Sequence, residues 1–395
     1  MKIARHNLIL SLAAGMAIVL LGTASQCVDN QETSSDEGKK PVSGTLQKSE
    51  KLDFYLETYI TGLDVPWGMT WLPDGDLLVT ERSGKLYRYS DGQRIASIDG
   101  LPEIFVNGQG GLMDIQLHPD YGNNGWLYFT YAAYGPGGKS EGGNTALMRA
   151  RLDGNTLVDK EVIWKAGPNS RSTLHFGSRI AFDNDGYLYV AVGERGVKPN
   201  AQDLTIHGGK VHRLHDNGDI PEDNPFVNTP GAVASTYSYG HRNPQGMAKD
   251  PKAGLIWVNE HGPKGGDELN LIKKGANYGW PVITYGIDYD GSIISNDTHM
   301  EGMEQPAVQW TPSPGVSGLA FVSGEPFKVW EGSVLSGALA LKYLLRTELV
   351  NNEVVHEEVL LKDIGRVRHV AVGPDGLIYV AVETPGVIYR LVPAE

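Results

Sequence analysis

One phrase recurs six times between residues 69 and 391: an apolar run, a turn built mostly from Pro, Asp and Gly, then a second short apolar or alternating run. Its copies are MTWLPDGDLLVTERSGKLYRY (69–89), IQLHPDYGNNGWLYFTY (115–131), IAFDNDGYLYVAVGERG (180–196), MAKDPKAGLIWVNEHGP (247–263), the looser LAFVSGEPFKVWEGSVLSGAL (319–339) and VAVGPDGLIYVAVETPGVIYRL (370–391). Turn chemistry of this kind between such runs reads as a hairpin. No long helical periodicity separates the copies, and regular strand-turn units over this length argue for radial repetition. The expected fold is all-β: a six-bladed β-propeller of four-stranded antiparallel blades, with a pair of β-sandwiches as the alternative. The spacing between copies is uneven, so long loops are expected on one face, where loops carry function. The run FYLETYI (54–60) precedes the first copy. Joined to the last blade, it would close the ring and remove an open sheet edge.

The N-terminus reads as a secretory signal over residues 1–27. Lys2 and Arg5 precede an apolar stretch from Leu8 to Leu21, too short for a comfortable membrane span. The single cysteine, Cys27, ends LLGTASQC, which resembles a bacterial lipoprotein box. Lipidation of Cys27 is one reading and simple cleavage after Ala24 is the other; Gln26 departs from the usual box. Either way no disulfide can form within the chain, and the core must hold the fold. Residues 28–52 are almost wholly polar and are expected as a linker, with the folded domain over 53–395. The formal charge is −13, and Lys2 and Arg5 leave with the leader. A chain so acidic has no net field with which to bind nucleic acid or an anionic membrane. An exported protein, periplasmic or anchored to the outer membrane of a bacterium, is expected.

Polar residues without an evident structural task gather in the stretches between repeats: VNGQGGLMD (106–114), STLHFGSRIAF (172–182), YGHRNPQGM (239–247), EHGPKGGDELNLIKKGANYGWP (260–281) and IGRVRHVAVGPDG (364–376). The fourth spends Gly262, Pro263, Gly265 and Gly266 on backbone shape and then supplies Asp267 and Glu268. Exposed carbonyls beside carboxylates suit a hard cation, and they equally suit an ordinary turn. In the fifth, Arg366 and Arg368 are two apart in a strand-like run, so both leave one face. They are either solvated or a clamp for an anion.

Taken together and in order, HFGxR, RNPQG, HGPxGGDELN, NYGWP and GRxRxV resemble the soluble quinoprotein sugar dehydrogenases, the glucose and aldose dehydrogenases that depend on pyrroloquinoline quinone (PQQ). The resemblance runs over about residues 55–391. It implies oxidation of an aldose at its C1 hydroxyl to the lactone, with hydride passing to PQQ and electrons onward to an external acceptor. His175 falls where the family has its catalytic base, a role suited to imidazole near neutral pH. Arg242 and Asn243 match residues near the quinone oxygens, where a guanidinium stabilises developing negative charge. Gln109 matches a glutamine at the same site, and Arg366 and Arg368 match the pair that clamps the cofactor. The Gly262 and Pro263 carbonyls match those that hold the Ca²⁺ of the cofactor site. Glu268 and the Tyr278 carbonyl match a second, structural Ca²⁺, with Asp267 as a neighbour. The family often has a lysine in blade five. Here SGALALKYLLR (336–346) offers Ala340 or Lys342, depending on alignment, and on a strand both would face the same way.

Two other readings share the scaffold. A calcium-dependent lactonase-like hydrolase would need carboxylate and amide side chains around one open ion. A non-catalytic binding propeller would need none of these groups. The sequence leaves open the particular aldose, the electron acceptor, and whether the chain is a monomer or a homodimer.

Overall fold

In a computed structural model of the chain, residues 44–394 are described. Their strands gather into six antiparallel sheets, five of four strands and one of five, arranged as a six-bladed β-propeller. Helix is confined to short turns such as Tyr121–Asn124. Each blade begins with its inner strand: Pro66–Trp71, Leu112–Leu117, Ile180–Phe182, Pro244–Lys249, Val316–Phe321 and Val367–Val372. All six repeated phrases fall on an inner strand, its hairpin turn and the strand that follows, and the first and sixth run on into the third strand.

The ring closes as the run at 54–60 suggested. Phe54–Thr61 pairs antiparallel with Val387–Pro393, the third strand of blade six. The start of the domain is earlier than expected. Thr45–Gln47, assigned above to the polar linker, adds a fifth strand against Phe54–Thr61. Polar side chains then tie residues 48–53 down. The Glu50 amide donates to Glu358 at 2.7 Å, His356 pairs with Glu50 at 2.6 Å, and Lys51 reaches Glu348 at 2.7 Å. Composition misled because this strap is held mainly by ion pairs and a sheet edge, with Leu52 its one packed apolar side chain against the core of blades five and six. The leader, Cys27 and the linker up to residue 43 lie outside the described residues.

The apolar core sits between blades rather than on the axis. Leu78 of blade one packs with Leu112, Ile115 and Phe129 of blade two, all fully buried. Phe54, Trp330, Leu335, Val380 and Leu391 do the same between blades five and six. Near the axis the inner strands approach too closely for side chains. A Cβ on Gly246 would lie 2.4 Å from the Ser317 carbonyl oxygen, and one on Gly318 would lie 2.6 Å from the His369 Cα. Only glycine tolerates that approach. In blades one, two, four, five and six the inner strand also carries a register shift near its first residues. Bulges re-aim side chains, and all five lie at the end of the propeller where the inner strands begin.

The axis is plugged at mid-depth by Arg179, which is 1% exposed. Its guanidinium donates to Asp114 at 3.1 Å, to His369 Nδ1 at 2.8 Å and to the carbonyls of Gln245 and Arg368 at 2.8 and 2.9 Å. It also stacks 4.0 Å over the Trp67 ring. A buried cation with this many partners separates a cavity at one end from a funnel at the other.

Candidate active site

Two sets of loops meet where the inner strands begin. One set leads into those strands and supplies Gln109, His175, Arg242, Asn243 and Arg366. The other leaves the second strand of a blade. Four blades end that second strand, or follow it at once, with a glutamate that reaches back into the first set. Glu81 accepts from the Asp64 amide, Glu194 pairs with His175, Glu260 pairs with His241, and Glu383 pairs with Arg366 and Arg368. The sequence carries this device as VTERSG, VGERG, VNEHG and AVETPG. Reading the repeat for its polar end as well as its apolar body would have singled out Glu194 and Glu383, which the sequence analysis passed over.

His175 is buried and has φ 53°, a left-handed conformation uncommon outside glycine. Its backbone amide donates to Gln109 Oε1 at 2.8 Å. Its Nδ1 lies 2.6 Å from Glu194 Oε2, which also accepts from the Gly196 amide at 2.6 Å. A carboxylate can only accept, so the proton resides on Nδ1 and Nε2 is left as a free base. Burial lowers the His175 pKa below the usual imidazole value. Glu194 opposes this by stabilising the charged ring, and the positive charges of Arg242 and Arg195 add to the lowering. Arg195 braces the same loop through the carbonyls of Ser172 and Leu174 and stacks on Phe176.

Beside His175 lies an axial cavity of about 110 Å³ lined by Trp67, Arg82, Gln109, Phe176, Gln245 and Arg368, among others. His261, Leu339 and Arg366 continue its wall into a neighbouring cleft of about 350 Å³ that also meets Pro263 and Tyr289. Arg366 and Arg368 both leave toward Glu383, at 2.7 and 2.5 Å, and Arg368 also donates to Gln245 Oε1 at 2.7 Å. The two guanidinium groups hold the Glu383 carboxyl at about 2, against the cost of its burial. Asn243 Oδ1 accepts from the Gly177 amide at 3.3 Å, while its buried Nδ2 has no acceptor. An orphaned buried donor is costly unless a ligand meets it.

The loop that follows Glu260 divides the residues grouped above by their sequence. Asp267 and Glu268 are adjacent in the strand Asp267–Leu271, so their side chains leave opposite faces. The Asp267 carboxylate accepts from the amides of Gly262, Gly315 and Val316 at 2.7–2.9 Å. It anchors the Gly-Pro turn and does not share a pocket with Glu268. The Gly262 carbonyl accepts from Arg242 Nη1 at 2.8 Å. A side chain at Gly262 is barred, because a Cβ would stand 2.2 Å from the Gly266 oxygen.

Glu268 instead faces a small pocket with Glu260, Arg242, Tyr278 and Trp280. Burial first, and then the neighbouring Glu260 charge, push its pKa well above the usual carboxylate range. The Asn270 side-chain amide bridges the two carboxylates at 3.2 and 3.1 Å, Glu260 also meets His241 and the Arg242 amide at 2.7 Å each, and the Asn270 Oδ1 has no donor. Two crowded acids and an orphaned oxygen suit a divalent cation.

Lys342 is not brought to the site. Residues 339–343 form a turn between the strands Val334–Ala338 and Leu344–Val350, so the shared face assumed for Ala340 and Lys342 does not exist. Lys342 is exposed with φ 57°, and Ala340, not Lys342, lines the cleft beside Arg366.

The comparison with known proteins places the fold in a family. The family model described as glucose/sorbosone dehydrogenase matches residues 63–390. The aldose sugar dehydrogenase YliI of Escherichia coli (strain K12) is 40% identical over 339 residues, covering 84% of this chain and 91% of that one. The apo crystal structure of the soluble E. coli aldose sugar dehydrogenase superposes with a TM-score of 0.83 at 38% identity, covering 86% of this chain and 100% of that one. The PQQ-bound form of an aldose sugar dehydrogenase from Streptomyces coelicolor gives 0.72 at 29% identity, over 86% and 98% of the two chains. With the family model matched over residues 63–390 and a relative 40% identical along 84% of its length, the chain belongs to the glucose/sorbosone dehydrogenase family.

Proposed function

We propose that this protein is a PQQ-dependent aldose sugar dehydrogenase, exported and held at the bacterial surface or in the periplasm, that oxidises the C1 hydroxyl of an aldose to the lactone. The observation that carries the reading is the His175–Glu194 pair beside a cavity walled by arginines. A histidine held with its proton on Nδ1, on the loop whose Phe176 and Gly177 line an arginine-walled cavity, is the equipment for removing a hydroxyl proton while a cofactor takes the hydride.

Arg366 and Arg368 suit the carboxylates of PQQ, which when bound supplies the electrophilic quinone that accepts the hydride. Ca²⁺ suits two places: the Gly262–Pro263 turn in the cleft beside the cavity, where the Gly262 carbonyl would accept an ion in place of Arg242, and the Glu260/Glu268 pocket near Tyr278. His175 Nε2 takes the C1 hydroxyl proton. Glu194 holds the imidazole in the required tautomer and stabilises its cationic form. Gln109 fixes the backbone of the histidine, and Asn243 and Arg242 present donors where negative charge develops. An external acceptor would take the electrons from the bound cofactor. The arginine lining favours this over a hydrolase, which would need carboxylates at the axis. The proposed lipid anchor at Cys27 rests on LLGTASQC alone; among the described residues no helix is long and apolar enough to cross a membrane.

The test is reconstitution. Purified apoprotein given PQQ and Ca²⁺ should reduce a dye with aldoses as donors, and should not without PQQ. Equal dye reduction without PQQ, or hydrolysis of a lactone in its place, would sink the reading.

A further inference from the structure

The charge in the axial cavity is unevenly compensated. Arg366 and Arg368 spend much of their hydrogen-bonding capacity on Glu383 and Gln245, and one carboxylate already offsets half of their charge. Arg242 is bonded to the Gly262 carbonyl. Arg82 differs. It lines the same cavity, yet among the described residues its side chain makes no hydrogen bond or ion pair with the protein.

Its place in the repeat sharpens the contrast. Arg82 directly follows Glu81, as Arg195 follows Glu194 and His261 follows Glu260. Arg195 is occupied by backbone carbonyls and the Phe176 ring, and His261 Nε2 pairs with the Val316 carbonyl at 2.6 Å. Of these three positions, Arg82 alone has no side-chain hydrogen bond to the described residues, whereas Arg195 leaves only its Nε unpaired. Gly111 lets its own chain pass close to Arg82: a Cβ there would stand 1.9 Å from the Arg82 carbonyl oxygen and 2.6 Å from its Cγ. Blade five contributes no cation to the cavity, since Lys342 sits on an exposed turn.

We propose that Arg82 is a further cofactor-binding residue, whose guanidinium takes a carboxylate of the polyanion held in this cavity and supplies from blade one the positive charge that blade five lacks. The inference rests on the reading that the cavity binds PQQ. A guanidinium is suited to the task because it presents a planar fork to a carboxylate.

The experiment is a cycle of four titrations by calorimetry, all with Ca²⁺ present: wild type and Arg82→Gln, each with PQQ and with its trimethyl ester, which lacks the carboxylate charges. Loss of one charge-assisted bond should weaken PQQ binding by about tenfold to a hundredfold in Arg82→Gln. The ester should bind wild type and variant alike, and Arg82→Lys should recover part of the loss. Because Arg82 has no protein partner, the melting temperature of the apo variant should match wild type. Equal weakening for acid and ester, or no weakening of either, overturns the assignment. A raised KM for the aldose with PQQ affinity intact also overturns it, and makes Arg82 a substrate contact. Failure of wild type to bind PQQ at all removes the reading beneath it as well.

Discussion

Glu194→Gln isolates what one carboxylate contributes to the histidine. Glutamine keeps an oxygen that can accept from His175 Nδ1 across the 2.6 Å gap, so the tautomer survives. What goes is the charge. A hydrogen bond to a charged group contributes about 1.5–3 kcal/mol, and 1.36 kcal/mol corresponds to about one pKa unit. The charged form of His175 should therefore be harder to reach by about 1–2 units. The sign follows from the groups present. Burial already lowers the His175 pKa, Glu194 is the group that raises it, and Arg242 and Arg195 lower it further. With Glu194 neutral, only the lowering influences remain. The acid limb of kcat/KM, where the base becomes protonated, should move to lower pH. The plateau should drop as well, because a weaker base takes the hydroxyl proton less readily, by about tenfold to a hundredfold. Two measurements check this: single-turnover rates with an aldose across pH in the PQQ-loaded protein, and the ¹⁵N shifts of His175 in the apoprotein. An acid limb that moves to higher pH, or stays put with a near wild-type plateau, would refute the role given to Glu194.

Other outcomes follow from neighbouring groups. His175→Gln should cost about 10²–10⁴ in single-turnover rate while calorimetry finds PQQ affinity unchanged; a near wild-type rate would send the search for the base elsewhere. Glu268→Gln should raise the melting temperature of the apoprotein at neutral pH. The folded-state pKa of Glu268 is raised, so its contribution to stability is present below the unfolded value and is lost as pH rises through the folded one. In the same variant the stabilisation by Ca²⁺, about 2.7 kcal/mol at a hundredfold excess over Kd for a single site, should shrink; an unchanged Ca²⁺ response would clear Glu268 of ion binding. Arg368→Ala leaves Glu383 buried beside one cation instead of two, and breaking such a pair costs about 3–5 kcal/mol. Urea melts at neutral pH should show that loss, and protonating Glu383 at low pH should reduce it.

The repeat carried most of the architecture. Its alternation of apolar runs and Asp/Gly turns is a local property, set by strand pairing and turn geometry, so six blades could be read from 69–391 without knowing how they pack. The histidine, the arginine pair and the Gly-Pro loop stood out because each lies in a polar or turn-forming stretch between repeats, while the roles given to them came from the family resemblance. Contacts between distant residues were not legible. Glu194 finds His175 across 19 residues, and Arg179 finds the Arg368 carbonyl across 189, because radial closure brings every blade to one axis. Adjacency in sequence also misled. Asp267 and Glu268 look like one acidic pair, yet a strand sends neighbours to opposite faces, so one anchors a turn and the other crowds Glu260. Lys342 looked like a strand residue, and a turn placed it outside. The polar strap at 44–52 looked like linker, because its hydrogen bond to Glu358 and its ion pairs to His356 and Glu348 exist only once blade five is formed. Sequence fixes which residues face the core at short range; which charges are compensated, and which, like Arg82, are left free, is decided where six loops converge.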